Sequence, residues 1–143
     1  MKISAILKRK QSGVVTIDML STLKAAAERM TRHRIAALVV NENGAPVGLL
    51  SERHIVEEFA HQGKFAEEIR IRQVIDRQLI GVSPEDTIKR AMSLMTHARI
   101  RHLPVMEQNA LVGIVSLGDV VKHRLEELEL ETNVLRDIYI AAR

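Results

Sequence analysis

Displaced by 65 residues, the chain lies on itself. Val14–Glu57 aligns with Leu79–Lys122 without a gap, and 15 of the 44 aligned pairs are identical. Thr22/Thr87, Met30/Met95, Arg34/Arg99, Leu38/Leu103, Val40/Val105, Gly48/Gly113 and Ser51/Ser116 are among them. Most other apolar positions pair with another apolar residue. A self-similarity of this length means one supersecondary unit used twice, each copy depending on a neighbour to cover its apolar face.

Both copies read in the same order. A short branched run comes first, Val14-Val15-Thr16-Ile17 or Leu79-Ile80-Gly81-Val82. A helix follows, with one apolar face at Leu23, Ala26, Ala27 and Met30, matched by Ile88, Ala91, Met92 and Met95. Next comes a hairpin, Ala37–Val40 into Pro46–Leu50 and Leu103–Met106 into Leu111–Val115. Its turns, Asn43-Gly44 and Gln108-Asn109, are residues that tolerate positive φ. A second helix closes each unit.

The junction of that last strand and helix, Leu111–Val121, carries the most chemical promise. Branched residues suit a buried strand, and Ser116 and Gly118 suit the change to a helix. Asp119 falls in the helix's first turn, beside free N–H groups and the positive end of the dipole, where a polyol and a phosphate can be held together. The same residues also fit a Ser-x-x-Asp capping box, which needs no ligand.

The β-α-β-β-α order, with Gly48-Leu-Leu-Ser51 and Gly113-Ile-Val-Ser-Leu-Gly-Asp119 closing the third strand, resembles the tandem cystathionine-β-synthase (CBS) domain, in its stand-alone bacterial form. Arg99-Ile-Arg-His-Leu-Pro-Val105 is similar to that family's second strand, and Ser51-Glu-Arg to its Ser-Glu-Arg-Asp turn. The resemblance implies an α/β (α+β) fold of two units packed with pseudo-twofold symmetry, plus a long C-terminal helix. Residues 1–143 would form one CBS-pair module, with units at 14–62 and 79–125 and a helical extension at 126–143.

Apolar residues make up 46% of the chain and charged ones 27%, ordinary globular proportions. With no Cys, disulfides, thiolate metal sites and Cys nucleophiles are excluded. Only Phe59, Phe65 and Tyr139 are aromatic, so the core must be aliphatic. No apolar run approaches a membrane span, and Met1–Lys10 lacks a signal peptide's apolar segment, so the expectation is a soluble, cytoplasmic protein. The net charge of +3 is too mild to name a partner, and no aromatic interleaving or zinc spacing supports nucleic acid.

Between the copies, Glu57–Arg72 reads as a helix end, a loop and a helical connector near Ile71–Ile75. Ser83-Pro84-Glu85-Asp86 reads as a helix start, with Ser at the cap, Pro first and acids in the first turn. From Leu117 to about Ala142 a helix of some two dozen residues is expected. There Val121, Leu125, Leu128, Thr132, Leu135, Tyr139 and Ala142 keep a heptad spacing, with Glu126, Glu127, Glu129 and Glu131 in outer positions. Such a seam points to a second subunit, and so to a homodimer.

No catalytic constellation is present. The six histidines never form a close ligand pair, and there is no nucleophile elbow or phosphate-binding Gly loop, so the chain reads as a non-enzyme. The resemblance implies a binding role: an Asp at the start of the second helix accepts ribose hydroxyls, and Asp119 holds that position. A carboxylate suits the task because it offers two acceptor oxygens to vicinal donors. Ser116 and the Gly118 backbone would approach a phosphate, Arg101 and His102 would add positive charge, and Lys10 in the basic run Lys8-Arg9-Lys10 would lie at the cleft mouth. The base would sit in an aliphatic slot around Val14, Val15 and Ala37. In the first copy His54 stands where Asp119 does, and Ala36-Ala37 replaces Arg101-His102, so the two clefts are expected to differ.

The leading functional expectation is a regulatory module that binds an adenine nucleotide, AMP foremost with ADP and ATP beside it, and signals to an effector protein; S-adenosylmethionine or an NAD-type molecule is the other ligand class. The competing readings are an adaptor whose clefts are vestigial and a nucleic-acid-binding regulator. No metal and no catalytic cofactor is expected.

Overall fold

Thr22 and Thr87 each turn a chain into a helix by the same device: the hydroxyl accepts the backbone N–H three residues on, at 3.2 Å from Ala25 and 3.1 Å from Arg90. In the computed structural model, which describes residues 1–10 and 13–142, this repetition holds element by element. The order is α1 (Ile3–Arg9), β1 (Thr16–Asp18), α2 (Leu23–His33), β2 (Ala37–Glu42), β3 (Ala45–Ser51), α3 (Glu52–Gln62), 3-10 turns Gly63–Glu68 and Ile71–Gln73, α4 (Ile88–Ala98), β4 (His102–Glu107), β5 (Ala110–Ser116) and α5 (Leu117–Ala141). Displacing α2, β2 and β3 by 65 residues lands on the bounds of α4, β4 and β5. No helix of the described residues is long and apolar enough to cross a membrane.

Even the irregularities recur. α2 and α4 both end on an arginine in the left-handed region, Arg34 at φ 54° and Arg99 at φ 55°. The following N–H groups of Ile35 and Ile100 return to Met30 and Met95 at 3.0 and 3.1 Å, closing a Schellman-type end without glycine. The hairpins β2–β3 and β4–β5 share one register, with a bulge at Val40/Asn41 and at Val105/Met106. Their tight turns carry positive φ at Asn43, Gly44, Gln108 and Asn109, as the turn residues predicted.

The chain divides into two compact units: Gly13–Ile80, and Met1–Ser12 with Gly81–Arg143. In the first, Ile17, Leu23, Ala26, Met30, Leu38, Val40 and Leu50 form the core together with Ile71 and Ile75. In the second, Val82, Ile88, Ala91, Met95, Leu103, Val105 and Val115 are the buried equivalents, joined by Ile3 and Ile6. Each fully buried large aliphatic side chain contributes about 1.5–3 kcal/mol from apolar surface removed from water.

Ile3 and Ile71 reveal a second equivalence, at an offset of 68 residues. Ile3 N–H donates to Asp86 C=O and Ile71 N–H to Ser21 C=O, both at 2.9 Å. Ser4 pairs with Pro84 as Arg72 pairs with Met19, at 3.0 Å each. Leu7 fills the space beside Gly113 just as Ile75 does beside Gly48. A Cβ on Gly113 would meet Leu7 Cδ2 at 2.5 Å, and one on Gly48 would meet Ile75 Cδ1 at 3.2 Å and the Asp76 carbonyl at 3.0 Å. Residues before the first copy therefore complete the second, and residues before the second complete the first.

Three expectations need correction. The first strand of copy one begins at Thr16, so Val14 and Val15 precede it. Its counterpart Leu79–Val82 is no strand; only Val82 bridges Val105, in the register of Ile17 and Val40. Pro84 stands where Met19 donates to the Asn41 carbonyl, and Gly81 replaces Thr16, so the ladder loses a donor and a good strand former. Ser83–Asp86 is a turn rather than a helix start. Asp86 folds back on the Ser83 N–H at 2.8 Å, and α4 begins two residues later, at Ile88, capped by Thr87.

Candidate functional site

Ser116 ends β5 in extended geometry, at φ −97° and ψ 162°, and the next residue begins α5. Its hydroxyl accepts the Asp119 N–H at 3.1 Å, while Asp119 Oδ2 accepts the Ser116 N–H at 2.9 Å. The reciprocal capping box is complete. A third group joins it: Lys10, just past the end of α1, donates from Nζ to the same Oδ2 at 2.8 Å and to the Ile114 carbonyl at 3.1 Å. Burial by itself raises the Asp119 pKa. The Lys10 ammonium, the Ser116 N–H and the Ser116 hydroxyl outweigh it and hold the carboxyl below its ordinary value. Both contacts fall on one oxygen of the carboxylate.

The neighbours predicted from sequence are placed as follows. His102 starts β4 directly opposite Ser116. Arg101 precedes it with an exposed side chain, and its carbonyl accepts the Leu117 N–H at 2.8 Å, tying the helix start to the strand start. Gly118 is exposed in the first turn, with room for a Cβ 3.7 Å from the Ser116 hydroxyl, so close packing does not demand glycine there. Lys10, Ser116 and Asp119 are thus joined by hydrogen bonds, and His102 and Arg101 flank them. In the basic run, Arg9 is paired with Glu126, and Lys8 is exposed. Val14, Val15 and Ala37 belong to the first unit: the two valines are half-buried ahead of β1, and Ala37 is buried opposite Ser51 in the β2–β3 pair.

The equivalent turn of the first unit keeps the backbone device and changes its chemistry. Ser51 caps α3, and His54 Nδ1 accepts the Ser51 N–H at 2.9 Å, so an imidazole fills the carboxylate's place in the capping box. An accepting Nδ1 must be bare, which places the ring proton on Nε2. Burial lowers the His54 pKa, with Glu57 opposing and Arg53 assisting. The Glu52 N–H meets the Ala36 carbonyl at 2.9 Å, matching Leu117 and Arg101, but no cationic side chain stands at 36 or 37.

Two features escaped the sequence reading. His123, only 5% exposed, lies one turn after Asp119; its Nδ1–H donates to the Asp119 carbonyl at 2.8 Å, and its buried Nε2 has no partner among the described residues. The i, i+4 spacing from Asp119 was its only signal. The first unit also carries an open hollow of about 440 Å³, lined by Lys24, Ala27, Glu28, Thr31, Arg32, Phe59 and Glu67. Among the described residues no three His, Asp or Glu side chains gather as a metal site would require.

The family model described as CBS domain matches twice, at residues 5–61 and 71–126. The chain is 37% identical over 111 residues to the mitochondrial CBS domain-containing protein CBSX3 of Arabidopsis thaliana, an alignment covering 74% of this chain and 54% of that protein. It is 31% identical over 122 residues to the CBS domain-containing protein YhcV of Bacillus subtilis, covering 85% of this chain and 86% of that one. Among solved structures, a CBS-domain containing protein from Agrobacterium tumefaciens matches with a TM-score of 0.83 at 33% identity, covering 87% of this chain and 99% of the other. The chain thus spans about half of the plant relative and most of the bacterial ones.

Proposed function

Because the chain belongs to the CBS-domain family, whose pairs are generally regulatory ligand-binding modules rather than catalysts, we propose that it binds an adenine nucleotide, AMP foremost, at the Ser116–Asp119 turn and acts as a homodimeric sensor for an effector protein. The observation that carries this reading is the unequal chemistry of two equivalent turns. Asp119 brings a carboxylate, with the ammonium of Lys10 on it and Arg101 beside it; His54 brings a neutral ring with alanines beside it.

The proposed mechanism follows from where the hydrogen bonds fall. Lys10 and the Ser116 N–H occupy Oδ2 of Asp119, so a ribose hydroxyl approaches Oδ1 and its vicinal neighbour competes for Oδ2. The displaced Lys10 ammonium then turns to the nucleotide phosphate, with Arg101 as a second cation. Since Lys10 ends α1, ligand occupancy would be felt by that helix, and this is the route to an output.

A thermal-shift panel of AMP, ADP, ATP, S-adenosylmethionine and NAD identifies the ligand, because a molecule that binds only the folded state raises Tm. Calorimetry with the best of these then tests the site. Asp119→Ala should lose about 1.5–3 kcal/mol, the range for hydrogen bonds to a charged group, which is roughly a tenfold to hundredfold loss of affinity. His54→Ala should bind as the parent does, and Arg101→Ala should weaken a nucleotide but not adenosine. Unchanged affinity in Asp119→Ala would return the turn to a capping box alone. That outcome favours the second reading, an adaptor with vestigial clefts, for which the complete capping box and the Lys10 ion pair are the supporting observation.

A further inference from the structure

We propose that α5 pairs with α5 of a second copy as a parallel, in-register two-stranded coiled coil, its direction chosen by charges written along the helix. Beyond Leu125 the helix is exposed over nearly its whole circumference, with Leu135 67% and Tyr139 66% accessible, although Leu125, Leu128, Thr132, Leu135, Tyr139 and Ala142 keep a strict heptad seam. Only Val120 and His123 of α5 are buried among the described residues, so its own unit covers the first two turns and not the seam. A heptad seam is stable when a partner supplies the holes for its knobs.

The flanks of the seam name the occupant. With Leu125, Thr132 and Tyr139 at the first core position and Leu128, Leu135 and Ala142 at the second, the flanking positions hold Arg124 and Glu131 on one side and Glu129 and Arg136 on the other. In a parallel pair each flanking residue meets the partner's residue five positions on. Arg124 then faces the partner's Glu129, and Glu131 faces the partner's Arg136, twice each by symmetry. The antiparallel register that closes the whole seam, with Leu125 on the partner's Ala142 and Leu128 on the partner's Tyr139, makes only two such contacts, Glu129 with the partner's Arg136 once from each chain, and the registers a heptad either side set Arg136 on the partner's Arg136 or Glu131 on the partner's Glu131. Four opposite-charge contacts form in the parallel pair against two in the best antiparallel one and like-charge contacts in its neighbours, which is how the helix selects its direction. Arg124, now 3.0 Å from Glu127 of its own helix, would exchange that contact for the partner's Glu129.

The proposal rests on the homodimer proposed above and not on any nucleotide. The chain has no cysteine, so a single introduced thiol reports its own neighbour. In the full-length protein at micromolar concentration, sedimentation should give a dimer, and oxidation should link Leu128→Cys to itself, since facing core positions bring Cβ atoms within disulfide reach. A mixture of Leu128→Cys and Tyr139→Cys chains should give no mixed disulfide; those two positions adjoin only in an antiparallel pair. Glu131→Arg and Arg136→Glu should each weaken dimerisation about tenfold by turning two attractive pairs repulsive, and the double variant should recover to within about threefold. Residues 131 and 136 do not adjoin on one helix, so recovery can only come across the interface. A mixed disulfide, or a double variant as weak as the product of the singles, overturns the orientation while leaving a dimer standing. A monomer overturns both.

Discussion

The turns at Ser51–His54 and Ser116–Asp119 are one backbone device carrying two chemistries. In both, a strand ends on serine, a helix begins at the next residue, and the third helical side chain reaches back to the serine N–H. The carboxylate of Asp119 draws Lys10 onto it from the end of α1. The imidazole of His54 draws no cation and is held neutral by burial. Capping a helix asks only for an acceptor, and either group supplies one. Holding a polyol beside a phosphate asks for two acceptor oxygens and nearby positive charge, and only the second turn has them. A duplicated scaffold can therefore retain its fold in both halves while the side-chain chemistry of equivalent turns diverges.

The largest effects should fall on what the halves share. Leu38 and Leu103 occupy the same strand position and are both fully buried. Leu38→Ala and Leu103→Ala should each destabilise by about 2–5 kcal/mol, the cost of a buried leucine and the cavity it leaves. Urea unfolding followed by circular dichroism measures both. If either variant lost less than about 1 kcal/mol, the two cores would not be equivalent and the comparison would break at its base.

How much of this was legible beforehand depended on whether the signal was local. Helix faces, hairpins and their positive-φ turns lie within a few residues of the side chains that cause them, so the 65-residue repeat carried them into register. The equivalence of Met1–Lys10 with the residues after Ile69 was not legible, because it lies at a different offset and rests on little identity beyond Ile3/Ile71 and Arg9/Arg77. Each segment also packs on the copy it does not adjoin in sequence. Ser83–Asp86 misled because Ser, Pro and acids suit a turn as well as a helix start, whereas the Thr22/Thr87 identity already marked the true cap. Asp119 was legible as either a cap or a ligand group. The structure supplies Lys10 as its partner from 109 residues away. Glu126, an outer position of the heptad pattern in α5, meets Arg9 of α1, a contact no local spacing encodes.

A middle-sized effect should sharpen the contrast at the second turn. The folded-state pKa of Asp119 lies below its ordinary value, so its contribution to stability is present above about pH 3.8 and is lost as pH falls through the folded value. Lys10→Met removes the strongest influence lowering that pKa. It should cost about 0.5–1 kcal/mol near neutrality, the range for a partly exposed pair after solvent screening. Melting curves between pH 2 and pH 5 should show a smaller acid-dependent loss in the variant. A variant that matches the parent at every pH would mean that Lys10 leaves the carboxylate in solution, and the proposed handover from carboxylate to phosphate would lose its starting point.

The smallest effect belongs to the first turn and runs in a different pH window. His54 accepts the Ser51 N–H through a bare Nδ1, so protonating the ring destroys the acceptor and sets a cation at the positive end of a helix dipole. Burial lowers its folded pKa below the unfolded value of about 6.5, with Arg53 adding to the shift and Glu57 opposing it. A depressed histidine pKa means that the unfolded chain binds more protons in this window. Its contribution is therefore whole above about pH 6.5 and is lost as pH falls through the folded value. The ring is only half-buried, so the loss should be a few tenths of a kcal/mol. His54→Asp should remove this limb and move the acid sensitivity of the cap below pH 4, into the range where Asp119 titrates, making the first turn behave as the second does. Melting temperatures taken at half-unit steps from pH 7.5 to pH 5 on parent and variant decide it. Parallel curves would mean that protonation of His54 is not linked to folding, and the two capping boxes would then differ in ligand chemistry alone.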